Sequence, residues 1–367
     1  MKHLYLLSVF VLLTANKAPA QSIFEFIFIN KTQTGSSIFK DGSVYVGELK
    51  NRKPNGKGKT VFKNGDIYEG EYKKGKREGF GIYQSLSSGE KYEGMWLKDQ
   101  LHGKGIYYFA DGNYYTGMWY ENIQEGKGIM YYHNGDVYVG DWKNNIRKGK
   151  GAYAWKNGAK YEGDWSEDKK NGKGVMVWND QSWYEGDWKD DFREGEGVFS
   201  YVNGDKYVGE WHEDVQHGQG VYTFSTGDRY EGAYLYGSRT GTGVFYYVNG
   251  DKYIGRFRDG VQEGRGVFMW QSNGSVYEGD WKDDKRSGYG IYKWQNGDIY
   301  TGEWKEHQPN GKGVLSLSDG YRYEGGFVNG VMEGYGVEIT KNGERFEGIF
   351  KKGKRDSESI EESYRKK

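Results

Sequence analysis

From Tyr45 almost to the C-terminus the chain is built of short runs in which apolar and polar residues alternate. In Tyr138-Val139-Gly140-Asp141-Trp142-Lys143 the Tyr, Gly and Trp share one face, and Val, Asp and Lys share the other. A second run, Gly149 to Lys156, puts Gly149, Gly151, Tyr153 and Trp155 on one face and Lys150, Ala152 and Ala154 on the opposite one. Both runs have the length and aromatic content of strands. Asn157-Gly158 closes this stretch, as Asn64-Gly65, Asn134-Gly135 and Asn203-Gly204 close others, and such pairs between alternating runs predict a tight type I′ turn. The connection between the two runs, Asn144 to Lys148, is polar and reads as a longer loop with Asn, Asp or Gly at its centre.

The hairpin so predicted recurs. Its opening aromatic stands at Tyr45, Tyr68, Tyr92, Tyr115, Tyr138, Tyr161, Tyr184, Tyr207, Tyr230, Tyr253, Tyr277, Tyr300, Tyr323 and Phe346, a spacing of 23 residues with two of 24. A fixed period of this size predicts a repeat array in which each unit touches only its neighbours. The third, twelfth and fourteenth places (Gly140, Gly149, Gly151) are glycine in every complete unit and take most of the 60 glycines. Rings at the first and fifth places, packed over three glycines without Cβ atoms, would replace the second layer that a sheet normally needs. The expected fold is all-β: an elongated, single-layer antiparallel sheet, open like a solenoid.

The succession Y-x-G-x-W, short loop, G-x-G-x-x at this period resembles the MORN (membrane occupation and recognition nexus) repeat, from Tyr45 to about Arg355. The sequence departs from that pattern where Asp or Asn replaces the usual mid-hairpin glycine, at Leu49, and at Asn179-Asp180-Gln181-Ser182, which lacks the turn glycine. The resemblance implies a scaffold or attachment module of single-layer sheet; a catalytic domain of the kind sometimes joined to such arrays has no counterpart here.

The ends differ from the array. Lys2 and His3 precede an apolar run from Leu4 to Leu13, followed by Ala18-Pro19-Ala20, so residues 1–20 read as a signal peptide cleaved before Gln21. That predicts a secreted or periplasmic protein, stabilised without disulfides because it has no cysteine. Residues 21–44 read as a cap: the aliphatic run Ile23 to Ile29, then Lys40-Asp41-Gly42-Ser43, which copies the tail of a unit. The array proper spans residues 45–355, thirteen complete units and a partial one, and residues 356–367 form a charged tail, a short helix or a frayed end.

Composition narrows the function. Equal numbers of basic and acidic residues, 52 each, remove the basic footprint of a nucleic-acid binder and weaken attraction to anionic lipid. Gly56-Lys57-Gly58-Lys59-Thr60 is not a phosphate loop, since Lys53 stands where its first glycine belongs. His212 and His217 are spaced too loosely for a metal motif, no G-x-S-x-G elbow occurs, and the carboxylates follow the repeat. The sequence therefore assigns no catalytic residue, no cofactor and no metal. The expectation is a non-catalytic rod that binds protein partners, with membrane lipid or a glycan as rival ligands. The candidate surface comprises Trp142, Trp155, Trp165, Trp178, Trp188 and Trp211 on the ring face, and the basic loop Lys73, Lys74, Lys76 and Arg77.

Overall fold

A computed structural model describes residues 33–356. The predicted signal peptide, the aliphatic run of the cap and the tail beyond Asp356 lie outside the described residues. The remainder is one open antiparallel sheet of 29 strands, from Thr34–Ile38 to Lys354–Arg355, in which each strand pairs only with its neighbours in the chain. The all-β, single-layer architecture expected from the periodicity is what forms. At the N-terminal end of the described residues, Thr34–Ile38 sets Gly35 opposite Gly47, the pairing that the second strand of one unit makes with the first strand of the next. At the other end of the described residues the last full strand, Arg345–Lys351, is followed by the paired Lys354 and Arg355.

One register is kept throughout. Within a hairpin Tyr138 faces Tyr153 and Gly140 faces Gly151; between hairpins Gly151 faces Gly163 and Tyr153 faces Tyr161. Equivalent residues therefore form continuous rows along the rod. The row of opening tyrosines, Tyr45 to Tyr323, is the core, and all thirteen are fully buried. Each ring lies flat over the facing glycines of its own hairpin: a Cβ on Gly163 or Gly174 would collide with the Tyr161 ring or with the backbone opposite. The expectation for the third and fourteenth places is thus met in atomic detail.

The twelfth place has a different reason for being glycine. The hairpin register shifts between Gly140 and Trp142, a bulge. Gly149 lies across that shift at φ 105°, where an L side chain is strained, and a Cβ there would meet Asp141 on the opposite face. So Gly149 and its equivalents serve the bulge and make no room for rings. The Asp141 carboxylate fastens the same spot by accepting from the Lys150 N–H at 2.9 Å.

The two connections also exchange roles. Asn144 and Asn145 both take positive φ (53° and 66°) between paired Lys143 and Ile146, so the tight type I′ turn lies in mid-hairpin. At Asn157-Gly158 only Gly158 is left-handed, and Trp155 closes a three-residue loop by bonding Ala159. Lys156 and Asn157 form a right-handed turn, and Gly158 returns the chain to the ladder. Asn-Gly suits either loop, which is why the dipeptide alone did not separate them.

Two outcomes follow from this packing. At ~4.8 Å per strand the sheet extends on the order of 130 Å, so small-angle scattering should give a radius of gyration well above the ~21 Å of a compact chain of this length. Gly174→Val should cost about 1–3 kcal/mol by overpacking against Tyr161. Lys173→Val, on the exposed face, removes only a surface ion pair worth at most ~1 kcal/mol. Equal losses of thermal stability for the two variants would reverse the face assignment.

Candidate interaction surfaces

The ring face has a closed inner row. Tyr161 meets Trp165 of its own unit edge-on (5.3 Å, 87°) and Trp188 of the next unit likewise (5.4 Å, 84°), so aromatic contacts run unbroken along the rod. Trp165 and Trp188 donate their indole N–H groups back to the Gly151 and Gly174 carbonyls. Trp142, Trp165, Trp188 and Trp211 are only 4–5 % exposed and cannot serve as stacking platforms for a sugar. Trp155 and Trp178 stand in an outer, half-buried row with Tyr153 and Tyr201. This outer row is the accessible part of the ring face.

Along one edge the units are clipped by the tenth place of one and the eighth place of the next. Asp168 accepts from the Arg147 backbone N–H (2.9 Å) and from its Nε (3.0 Å), while a guanidinium Nη donates to the Asp168 carbonyl (2.5 Å). Asp214 holds Arg193 in the same way. Each guanidinium lies 4.4 Å over the next unit's indole, Trp165 or Trp211. Lys170 takes the same seat over Trp188, and burial holds its ammonium below the ordinary lysine range. Where the following eighth place is glycine, as at Gly75 and Gly330, the tenth place can be Pro54 or Pro309, which has no N–H to satisfy. This coupled spacing was the sequence signal for the clip, and reading each unit in isolation missed it.

The basic loop is partly consumed by these contacts. Arg77 lies 4.1 Å over Trp96 and donates its N–H to Asp99, and Lys73 pairs with Glu78 at 2.7 Å. Lys74 and Lys76 remain exposed. At the far end Lys351 pairs with Asp356 and Arg355 with Glu338.

The opposite edge carries a second clip. Asp136 and Asp205 are buried; each accepts from a backbone N–H one unit on (Lys156, Ser225) and from a tyrosine hydroxyl (Tyr153, Tyr222). Asp66 does the same with Tyr83 and Leu86. The Ser225 N–H, then Tyr222, lowers the Asp205 carboxyl below its ordinary value, and the Tyr83 hydroxyl does most to lower Asp66. Burial pushes the Tyr83 phenol up to about 12.

The other face is charged at its margins. Lys127–Asp141, Lys150–Asp164 and Lys173–Asp187 repeat at 2.7 Å. Beside them a shallow groove of about 1440 Å³ runs along the middle of the rod, with Ile129, Val139, Ala152, Val175 and Val198 on its floor. Among the described residues no group of three His, Cys, Asp or Glu side chains could hold a metal ion.

A rod whose units are identical hairpins, joined through rings, glycines and edge clips, is a tandem-repeat β-sheet protein. The sequence model of the MORN repeat matches thirteen successive segments between residues 45 and 345, and the chain belongs to that family. No curated protein matches it. Among solved structures it is similar to the TCP domain of Drosophila melanogaster SAS-4 in complex with a proline-rich motif of Ana2 (13% identity, 49% of this chain and 85% of that one, TM-score 0.26). It is also similar to the TCP10 domain of Danio rerio CPAP (11% identity, 62% and 94%, TM-score 0.23). Superpositions this loose carry no argument about function.

The edge carboxylates make the array acid-sensitive. Their folded pKa values lie below the unfolded value, so their stabilisation is complete above about pH 4 and is lost as pH falls through the lowered values. Thermal melts from about pH 5 to pH 2 should show falling stability, and Asp205→Asn should flatten that slope. An unchanged slope in the variant would mean that Asp205 carries no such linkage.

Proposed function

We propose that this MORN-repeat chain is a non-catalytic rod that holds protein partners, exported from the cell that makes it. The reading is carried by how the side chains are used. Rings, glycines and edge carboxylates are spent on joining one unit to the next. What they leave is two uninterrupted faces, one with half-buried aromatics and one with an aliphatic-floored groove between rows of ion pairs. Surfaces that mix apolar patches with charge suit protein contacts. Carboxylates spaced by the period along the edges and the charged face do not converge as a general acid and base must. Export is supported by the Lys2-His3 start, the apolar run Leu4 to Leu13 and Ala18-Pro19-Ala20.

The test compares three ligands. Protein that begins at Gln21, immobilised, is expected to retain a small set of proteins from extract of its source. It should neither float with anionic vesicles at physiological salt nor pellet with insoluble polysaccharide. Salt-sensitive vesicle binding that disappears when Lys73, Lys74, Lys76 and Arg77 become Ser would establish lipid attachment instead.

A further inference from the structure

The edge clip is complete in some units and incomplete in others. At Arg147 and Arg193 a single carboxylate oxygen, from Asp168 or Asp214, takes both the backbone N–H and the guanidinium Nε. The equivalent of these aspartates beyond Arg239 is Gly260, which has no side chain. Arg239 nevertheless keeps the pose of its counterparts. Its Nη donates to the Gly260 carbonyl at 2.6 Å, and its guanidinium stands over Tyr230, Phe245 and Phe257. A Cβ on Gly260 would meet nothing within 4 Å. Beside it lies a cavity of about 520 Å³, lined by Arg239, Gly260, Phe245, Phe257, Trp270 and Arg286. Asp284, the carboxylate in that cavity, already accepts the Gln262 N–H at 2.7 Å. Arg286 belongs to the next clip, where His307 replaces aspartate and takes the Arg286 N–H on its imidazole.

We propose that the cavity at Arg239 and Gly260 is a docking point for an acidic side chain of a partner protein, whose carboxylate completes the clip that Gly260 leaves open. The occupant is defined by an internal template: in the units of Asp168, Asp191, Asp214 and Asp284 the group in this seat is an aspartate side chain. At Gly237, which is also glycine, the tenth-place partner is Gln216 and not an arginine. The guanidinium is already oriented over aromatic rings, so an incoming carboxylate gains a charge-assisted bond without first ordering the arginine. Rim aromatics supply apolar contact for the residues that flank the acid. This deepens the protein-binding reading and rests on it for the bearer of the carboxylate.

The test uses the whole protein with ¹⁵N-labelled arginine, titrated with hexaglutamate, hexagalacturonate and inorganic phosphate while the Arg Nε–H resonances are followed. Hexaglutamate is expected to shift Arg239 and to leave Arg147 and Arg193 in place. Gly260→Asp supplies the carboxylate from within. Asp168, Asp191 and Asp214 adopt the same positive φ (64–76°, against 88° at Gly260), so this variant should fold. It should weaken hexaglutamate binding about tenfold or more. Asp168→Gly, the reverse change, should create a second responsive site at Arg147. Undiminished binding by Gly260→Asp, equal shifts at every arginine, or no shift of Arg239 would overturn the proposal. A response to hexagalacturonate alone would overturn it in favour of an acidic polysaccharide, and a response to phosphate alone in favour of a free anion. Loss of partner capture with hexaglutamate binding intact would sink the protein-binding reading and leave the anion seat standing.

Discussion

Everything in this rod depends on a tyrosine hydroxyl donating to a carbonyl of its own strand, opposite the bulge of the partner strand. In each complete unit, from Tyr45 to Tyr323, the hydroxyl donates at 2.7–3.1 Å to the carbonyl three residues on. The bulge takes that residue out of step with its hairpin partner, and the phenol provides the missing donor. To reach it the ring must lie flat across the strand pair, which it can do only over two facing glycines. One hydrogen bond therefore dictates the ring, the glycine pair and the bulge glycine together. Phe346, which lacks the hydroxyl, occurs in the unit that the described chain leaves incomplete.

A single sheet has no second layer to bury its apolar face, and this one solves the problem sideways. Each fifth-place tryptophan sits edge-on between two tyrosines, so burial is shared along the rod axis. The edge clips work in the same direction, since at Asp168, Asp214, Asp136 and Asp205 each joins a side chain to the backbone of an adjacent unit. Cohesion of this kind is nearest-neighbour by construction, which permits length without a thick core. It also means that stability is set by interfaces between units and that no single unit is a folded domain.

Individuality then resides where the period is broken. The tyrosines and glycines are constant because packing allows nothing else. The clip tolerates Asp, Asn, Gly or His at one place and Arg, Lys, Gln, Leu, Met or Pro at the other. The units from Arg239 to His307 combine a glycine, a histidine and two arginines around one cavity, so chemistry that is internal elsewhere is offered outward there.

By itself the sequence determined the hairpin, its period, the single layer and the face that carries the rings, because alternation and spacing are local properties that a row of identical units repeats. Even the third-place and fourteenth-place glycines were legible as seats for rings. Three things needed the tertiary structure. Gly149 and its equivalents were assigned to the ring face by counting in twos; the bulge breaks that count and turns them into backbone hinges. The two turns exchanged identities, because Asn-Gly suits both loops and only strand pairing selects between them. The third was the fate of the candidate residues: Trp142, Trp165, Trp188, Trp211 and Arg77 pack into contacts along the array, while Trp155, Trp178, Lys74 and Lys76 stay at least partly accessible. Composition cannot separate those groups, for what buries an indole here is the neighbouring unit, whose tyrosine packs against it from 27 or 28 residues away in the chain.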